Sequence, residues 1–105
     1  MILKDMDRTD ALKRIGEAVG MTYHPDDCDV WENVSFTFKN RARFSIWYQR
    51  DVFCARMIIP NEHHDWVDMN KMTLQEAIKF AKQCKEDVIN YQTNQKLREI
   101  KEDFQ

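Results

Sequence analysis

Glycine and proline are scarce in this chain, and their scarcity limits the kinds of site that it could build. Of 105 residues, only two are glycine and two are proline. Both glycines, Gly16 and Gly20, fall within or at the end of a helical pattern, so the sequence has no glycine-rich phosphate loop. Few turn-forming residues also mean few of the loops that usually carry active sites.

Cysteine is present in a number and spacing that excludes two common classes of small protein. The three cysteines, Cys28, Cys54 and Cys84, are an odd number without CxxC spacing. Reduced thiols in a cytoplasmic protein explain this better than a disulfide framework. The chain also lacks an apolar run long enough to cross a membrane, and its first ten residues do not resemble a signal peptide. We therefore expect one cytoplasmic domain over residues 1–105 without a membrane partner.

Catalytic and metal-binding signatures are missing as well. Ser35 and Ser45 fall in the middle of predicted strands and Cys84 falls on a predicted buried helix stripe, so no nucleophile is set beside a base. The segment from Glu62 to Asp68 contains His63 and His64, but neighbouring histidines in an extended segment point to opposite sides. We interpret this segment as a hydrated loop, and we expect no metal, no cofactor and no enzymatic activity.

What the sequence does contain is a strong alternation of apolar and polar residues along the stretch from Trp31 to Pro60. Aromatic and aliphatic residues recur at every second position in three runs, as in strands with one buried face. A turn around Asn40 and a two-residue loop at Arg50-Asp51 would pair these runs in one register. The predicted pairs are Phe38–Ala42, Phe36–Phe44, Val34–Ile46, Tyr48–Phe53, Ile46–Ala55 and Phe44–Met57.

The three paired runs form a predicted β-meander, and helical patterns of apolar residues flank it on both sides. Leu12, Ile15 and Val19 predict an N-terminal helix that Thr9 or Asp10 caps and that ends at Gly20. A capping box at Thr73-Leu-Gln-Glu76 opens a long C-terminal helix, whose packing stripe runs from Leu74 to Tyr91. Residues 21–29 and 61–72 lack a period and are predicted to be a loop and a linker.

The predicted fold class is therefore α+β, in the order α-β-β-β-α. A three-stranded antiparallel β-meander is packed on one face by the N-terminal helix and the long C-terminal helix. Residues 92–105 are predicted to be a helical tail that overhangs the sheet or turns back. Leu97, Ile100 and Phe104 form an offset apolar stripe there, which could dock on the protein's own core, a second copy or a partner.

The outer face of the predicted sheet carries the most suggestive side chains. From residue 39 to residue 56 the bases Lys39, Arg41, Arg43, Arg50 and Arg56 stand against Asp51 alone, a local charge of +4 in a chain of net charge −2. Tryptophan and arginine are the residue types that dominate binding hot spots, and both also stack on nucleic-acid bases. The predicted partner-binding residues are Lys39, Arg41, Arg43, Trp47, Arg56 and Ile58. Alternatively, this is a solvated face whose tryptophan is covered by the C-terminal tail or by the linker that contains Glu62–Asp68.

The element order resembles that of double-stranded-RNA-binding domains, which grip phosphates at the start of their second helix. The matching segment here, Thr73-Leu-Gln-Glu76-Ala-Ile-Lys79, has one lysine and an acid where that family has a basic cluster. Arg43, Trp47 and Arg56 are also similar to the outer-face residues of three-stranded sheets that read a DNA groove. In its compactness and lack of a catalytic set, the chain looks like bacteriophage accessory proteins that block host factors.

Two functions follow as expectations. The first is a small non-enzymatic protein, monomeric or homodimeric, that binds a protein partner, in the manner of a bacteriophage inhibitor of a host factor or defence system such as an anti-CRISPR protein. The alternative is a nucleic-acid-binding module that uses the basic outer face of the sheet.

Overall fold

The computed structural model describes residues 1–28, 31–37, 42–60 and 62–103, and the side chains among them up to Tyr91. After a 3₁₀ turn at Leu3–Asp5 come α1 (Arg8–Val19), β1 (Thr22–His24), β2 (Asn33–Thr37), β3 (Arg43–Gln49), β4 (Val52–Ile58), β5 (Val67–Asp68) and α2 (Leu74–Asp103). The described strands form one antiparallel sheet in the order β1-β2-β3-β4-β5. The predicted α+β class and the helix-sheet-helix order are confirmed, whereas the prediction of three strands is wrong.

The two strands that the sequence pattern missed are the short edge strands. β1 has three residues and β5 has two, which is too few for a two-residue alternation to be recognised. β1 lies in the segment predicted to be a loop, and β5 lies in the segment predicted to be a linker. Their conformation is set by pairing with β2 and β4 and not by local pattern.

The central register agrees with the prediction at each pair that the structure describes. Phe36 opposes Phe44, Val34 opposes Ile46, Phe44 opposes Met57, Ile46 opposes Ala55, and Tyr48 opposes Phe53. The predicted pair of Phe38 with Ala42 and the predicted turn around Asn40 lie outside the described residues. The two-residue loop at Arg50-Asp51 is present, and both residues have positive φ, 49° and 65°. Two positive φ values at the centre of a hairpin loop match the right-handed twist of the flanking strands.

Both helices pack on the same face of the sheet, and the hydrophobic core lies between them and that face. The largest buried side chains come from α1, from the three central strands, from α2 and from the segments that flank them: Leu3, Leu12, Ile15, Val34, Phe44, Ile46, Phe53, Met69 and Val88. Phe44 also meets Phe80 of α2 edge to face, at 6.2 Å between ring centroids. The other face of the sheet is left without a helix in the described part of the chain.

The N-terminal helix begins two or three residues earlier than predicted. Its cap is Asp7, whose carboxylate accepts a hydrogen bond from the backbone nitrogen of Asp10 at 3.0 Å. The prediction of Thr9 or Asp10 as the cap is wrong, because Asp10 lies in the first turn and the Thr9 hydroxyl donates to Glu32 instead. At the other end Gly20 has the predicted left-handed conformation, with φ of 79°.

Lys85 joins the C-terminal end of α1 to α2. Its Nζ donates a hydrogen bond to the carbonyl of Val19 at 3.0 Å and lies 4.7 Å from the ring centroid of Phe36. The last carbonyls of a helix lack partners within the helix and carry partial negative charge, so an ammonium group is favourable there. One side chain therefore holds α1, α2 and β2 together.

The long helix α2 starts as predicted and continues without a break. Thr73 and Glu76 form the reciprocal capping box, at 3.1 Å and 3.3 Å. Ala77, Ala81, Cys84 and Val88 make its buried stripe. The backbone remains helical to Asp103, so the alternative in which residues 92–103 turn back as a separate helix does not apply. At 1.5 Å per residue the 30 residues span about 45 Å.

The segment between β4 and α2 is more structured than a linker. Met69 is fully buried, and the side chain of Asn70 bonds both the nitrogen of Phe53 and the carbonyl of Asp51. The N-terminus lies on the same segment, because the nitrogen of Leu3 donates to the carbonyl of Met72 at 2.8 Å. These contacts brace the β3–β4 hairpin from its end.

The β3–β4 turn yields a first prediction. Arg50 holds a left-handed conformation that costs a residue other than glycine or asparagine about 1 kcal/mol or more. We expect Arg50→Asn to raise the free energy of unfolding by about 0.5 kcal/mol, and Arg50→Val to lower it by about 1 kcal/mol. Urea unfolding of both variants measures the difference. Equal stability of the two variants would show that this turn carries no backbone strain.

Candidate binding groove on the outer face of the sheet

The register places the outward-facing side chains in three rows across the sheet. The first row crosses all five strands, the second crosses four and the third crosses three. In order they are His24, Asn33, Trp47, Cys54 and Asp68; then Thr22, Ser35, Ser45 and Arg56; then Thr37, Arg43 and Ile58. Successive rows are about 7 Å apart along the strands.

Nine of these twelve side chains, all except Thr22, Cys54 and Asp68, form the floor of an open groove of about 800 Å³, here called the outer groove. The size is in the range of pockets that hold ligands in proteins. Its wall is the chain that follows β1 together with Trp31, which precedes β2. The lining residues are His24, Pro25, Asp26, Asp27, Trp31, Asn33, Ser35, Thr37, Arg43, Ser45, Trp47, Arg56 and Ile58.

Four of the six residues predicted to bind a partner lie together in the outer groove. They are Arg43, Trp47, Arg56 and Ile58. The other two, Lys39 and Arg41, lie outside the described residues. Leu97 and Ile100 belong to α2, but their side chains are outside the described part, as is Phe104 entirely. Docking through that helical stripe therefore remains a prediction.

The segment from Glu62 to Asp68 takes a different path from the one that would bury this face. Among the described residues, no member of this segment lines the outer groove. Instead Val67 and Asp68 extend the sheet beside β4, and the carbonyl of His64 accepts a hydrogen bond from Nε of Arg56 at 2.9 Å. The segment thus holds the Arg56 side chain at the edge of the groove without covering the floor.

Hydrogen bonds restrain the side chain of one groove tryptophan, Trp47, and the backbone of the other, Trp31. Trp47 is half-buried, and its Nε1 donates to Oε1 of Gln49 at 3.1 Å. Trp31 is 52% exposed, and its carbonyl accepts a hydrogen bond from the side-chain nitrogen of Asn33 at 2.7 Å. Both present ring surface to the groove, which suits stacking more than hydrogen bonding.

The charges of the groove are separated between its two sides. Asp26 and Asp27 follow β1, whereas Arg43 and Arg56 stand on β3 and β4. From His24 at the end of β1, ordinary sheet spacing gives about 17 Å to Arg43 and about 16 Å to Arg56 between Cα atoms. Asp26 is only two residues beyond His24, within about 7 Å of it. The groove therefore has an acidic side near Trp31 and a basic side on β3 and β4, with Trp47 on the floor between them.

The acidic wall is the part of the groove that sequence reasoning missed. Asp26 and Asp27 were expected in an aperiodic loop, and Trp31 was expected only as the start of the stretch that contains the meander. No local signal places them over the sheet, because the fold of residues 25–28 over the outer face follows from the pairing of β1 with β2. The adjacency of an exposed tryptophan to a run of acids was the available hint.

On the opposite face, a buried carboxylate ties the start of β2 to α1 and β1. Oε2 of Glu32 accepts hydrogen bonds from the hydroxyls of Thr9 at 2.6 Å and Tyr23 at 2.5 Å. Its Oε1 lies 3.4 Å from Nε of Arg8. The hydrogen bond to Glu32, then burial, then the charge of Glu32 raise the pKa of Tyr23. This cluster positions the chain that carries Trp31 and Asn33.

The described residues do not assemble a nucleophile with a base. His24 and Cys54 share a row, but three strand spacings put them about 14 Å apart. Burial, and to a lesser degree Asp68, raises the pKa of Cys54, which keeps the thiol protonated. No three His, Cys, Asp or Glu side chains gather for a metal within this part of the chain. His63 contacts Asp65 at 3.0 Å, whereas His64 faces Glu62 at 3.9 Å.

In comparisons with known proteins, no family model, no curated protein and no solved structure matches this chain. In the part of the chain that the structure describes, neither helix has the length and apolar character needed to cross a bilayer. The fold and the groove define the class of the molecule as an α+β protein with one helix-covered and one grooved sheet face.

The Glu32 cluster yields a second prediction. Glu32→Gln keeps an acceptor for Thr9 and Tyr23 and should lower the free energy of unfolding by about 1 kcal/mol, whereas Glu32→Ala should lower it by about 2 kcal/mol. In Glu32→Ala the pKa of Tyr23 should fall toward its ordinary value, because the hydrogen bond to Glu32, which is the largest cause of the raised pKa, is removed. Titration followed by NMR of tyrosine ring carbons measures this pKa. Tyr48, whose raised pKa comes from burial and Asp51, is the internal control. An unchanged Tyr23 titration would contradict the arrangement.

The cysteines yield a third prediction. Burial, followed by the charge of Asp87, raises the pKa of Cys84 to about 11. The Cys54 and Cys84 thiols therefore stay protonated and shielded at about pH 8, whereas Cys28 is exposed. Iodoacetamide should modify Cys28 first in the folded protein, and the other two only after unfolding in guanidinium. Peptide mass spectrometry of the alkylated sites tests this order, and early modification of Cys84 would contradict its burial.

Proposed function

We propose that this chain is a small non-enzymatic binding protein that holds a protein partner in the outer groove. The observation that carries the proposal is the composition of one open groove: Trp31 and Trp47 with Arg43 and Arg56 over a floor of small polar side chains. Tryptophan and arginine are the residues most enriched at the energetic centres of protein interfaces. The supporting hydrogen bonds of the Arg56 and Trp47 side chains reduce the entropy that these side chains lose on binding.

A chain of this kind acts by occupying a surface of its partner. In keeping with the resemblance to bacteriophage accessory proteins, the proposed use is inhibition of a host factor or defence system in the cytoplasm, by a monomer or homodimer. The stripe of Leu97, Ile100 and Phe104 on the C-terminal helix is proposed as a second contact surface. Neither use requires a catalytic residue.

Nucleic-acid binding is the second candidate, because Arg43 and Arg56 are cations beside an aromatic floor residue. Against it stand Asp26 and Asp27, which line the same groove. Carboxylates repel phosphates, and nucleic-acid affinity depends mainly on phosphate neutralisation. A protein partner, which offers charges of both signs, matches this groove better.

Affinity capture with matched variants gives the fourth prediction. Trp31 and Trp66 are 52% and 55% exposed, but only Trp31 lines the groove. We expect Trp31→Ala to weaken capture of the partner at least tenfold, a loss of about 1.4 kcal/mol, and Trp66→Ala to leave it unchanged. Arg43→Ala should behave like Trp31→Ala, with Arg14→Ala on the surface of α1 as its control.

The same capture experiment separates the two candidate functions. Lysate is treated with nuclease, and binding is repeated at rising salt concentrations. A protein partner should survive nuclease and depend moderately on salt, whereas phosphate binding should fall steeply with salt because counterions are released. If Trp31→Ala and Arg43→Ala capture as much as Trp66→Ala and Arg14→Ala, the outer groove is not the binding site.

A further inference from the structure

We infer that the occupant of the outer groove is an extended peptide segment that carries a cation and a carboxylate about five residues apart. The inference rests on the proposed function and specifies the part of the partner that is bound. Three features carry it: the separation of charges across the groove, its dimensions, and the aromatic surface on one side.

The charge separation in the groove requires an occupant with two poles, that is, with opposite charges at its two ends. Asp26 and Asp27 lie on the side of the groove nearest β1, beside Trp31. Arg43 and Arg56 lie on the far side, about 16 to 17 Å from the end of β1. An occupant of one sign would meet repulsion on one of these sides, and like charges brought together in an interface are strongly disfavoured. Opposite charges at its two ends satisfy both sides.

The dimensions favour an extended segment over a helix. An extended chain rises about 3.4 Å per residue, so five residues cover the roughly 16 to 17 Å from the end of β1 to the two arginines. A helix would need about eleven residues to cover the same distance and would occupy a cylinder about 10 Å wide. The groove holds about 800 Å³. An extended strand of five or six residues fits that space better.

The positions of the aromatic residue and the arginines indicate where in the groove the occupant's cation lies and where its carboxylate lies. Trp31 lies on the acidic side, where its ring face and the nearby carboxylates both attract a lysine or arginine side chain. Arg43 and Arg56 stand diagonally on neighbouring strands, with Cβ atoms about 7 to 8 Å apart. Two guanidinium groups at that spacing suit one or two carboxylates. Between the poles, Ser35 and Ser45 offer hydroxyls to the peptide backbone.

Synthetic hexapeptides test this arrangement without knowledge of the partner. The probes are the acetylated amides of KTVTVE and ETVTVK, with opposite charges at the ends, and KTVTVK and ETVTVE, with like charges. Binding is followed by NMR shifts of the two groove indole N–H signals and of the Ser45 amide. At least one opposite-charge probe should bind tenfold or more tightly than either like-charge probe.

A charge-inverted groove makes the test independent of the absolute affinity. Arg43→Glu combined with Arg56→Glu makes both sides of the groove acidic. Its preferred probe should then change to KTVTVK, a reversal of at least tenfold relative to the unaltered protein. Arg14→Glu combined with Arg50→Glu changes net charge equally outside the groove and should leave the preference unchanged. Thermal unfolding confirms that each variant is folded.

The outcomes separate this inference from the proposed function. If the probes show no preference, or if the inverted groove keeps its original preference, the extended two-pole segment is wrong. The proposed function still stands in that case if Trp31→Ala and Arg43→Ala weaken capture of the protein partner. If capture is indifferent to the groove while the probes discriminate as expected, the peptide site is supported and the proposed function falls. Tighter binding of a thymidine hexanucleotide than of any peptide would overturn both.

Discussion

The register of the three central strands is the constraint on which the rest of the structure depends. Side chains alternate between faces with a period of two, so a slip of one residue would move Phe44, Ile46 and Phe53 from the core to the outer face. The same slip would carry Arg43 and Trp47 under the helices, where a guanidinium without a partner is costly. The packing of one face and the composition of the groove on the other are thus consequences of a single alignment. The two-residue turn at Arg50-Asp51 and the bonds from Asn70 hold that alignment at one end.

Glu32 extends this control to the edge of the sheet. A buried carboxylate is expensive unless it has partners. Thr9 and Tyr23 donate hydrogen bonds to Oε2 of Glu32, whereas Oε1 has no hydrogen bond among the described residues and only the Arg8 guanidinium at 3.4 Å to compensate its charge. Removal of any one of these partners would leave the Glu32 carboxylate less compensated in a site with little water. This cost fixes the start of β2 relative to both α1 and β1. Its neighbours on either side, Trp31 and Asn33, line the opposite face. The wall of the groove is therefore positioned from the core side of the sheet.

The sequence predicted those parts of the fold in which hydrophobic periodicity and capping or turn residues indicate the same element. The central register, the capping box at Thr73 and the left-handed Gly20 all depend on residues within one or two adjacent elements. β1 and β5 depend on pairing with β2 and β4, the buried Leu3 and Met69 depend on packing against other elements, and segments of two or three residues have no measurable period. The same distinction divides the groove. Arg43, Trp47, Arg56 and Ile58 followed from the strand alternation, whereas the acids of the wall reach the groove through a chain path that no local signal encodes.

Two side chains of the groove already make hydrogen bonds within the protein, and these bonds affect how a partner would be held. The N–H of Trp47 already donates to Gln49, and Nε of Arg56 already donates to the carbonyl of His64. A partner therefore gains little from new hydrogen bonds to these two atoms, and would instead use the ring face of Trp47 and the charge of Arg56. Stacking and charge pairing on side chains that are already oriented cost less ordering entropy than the capture of free ones. Such contacts also discriminate between partners by the sign and position of charge, because a misplaced charge loses its pairing and meets repulsion from the opposite wall.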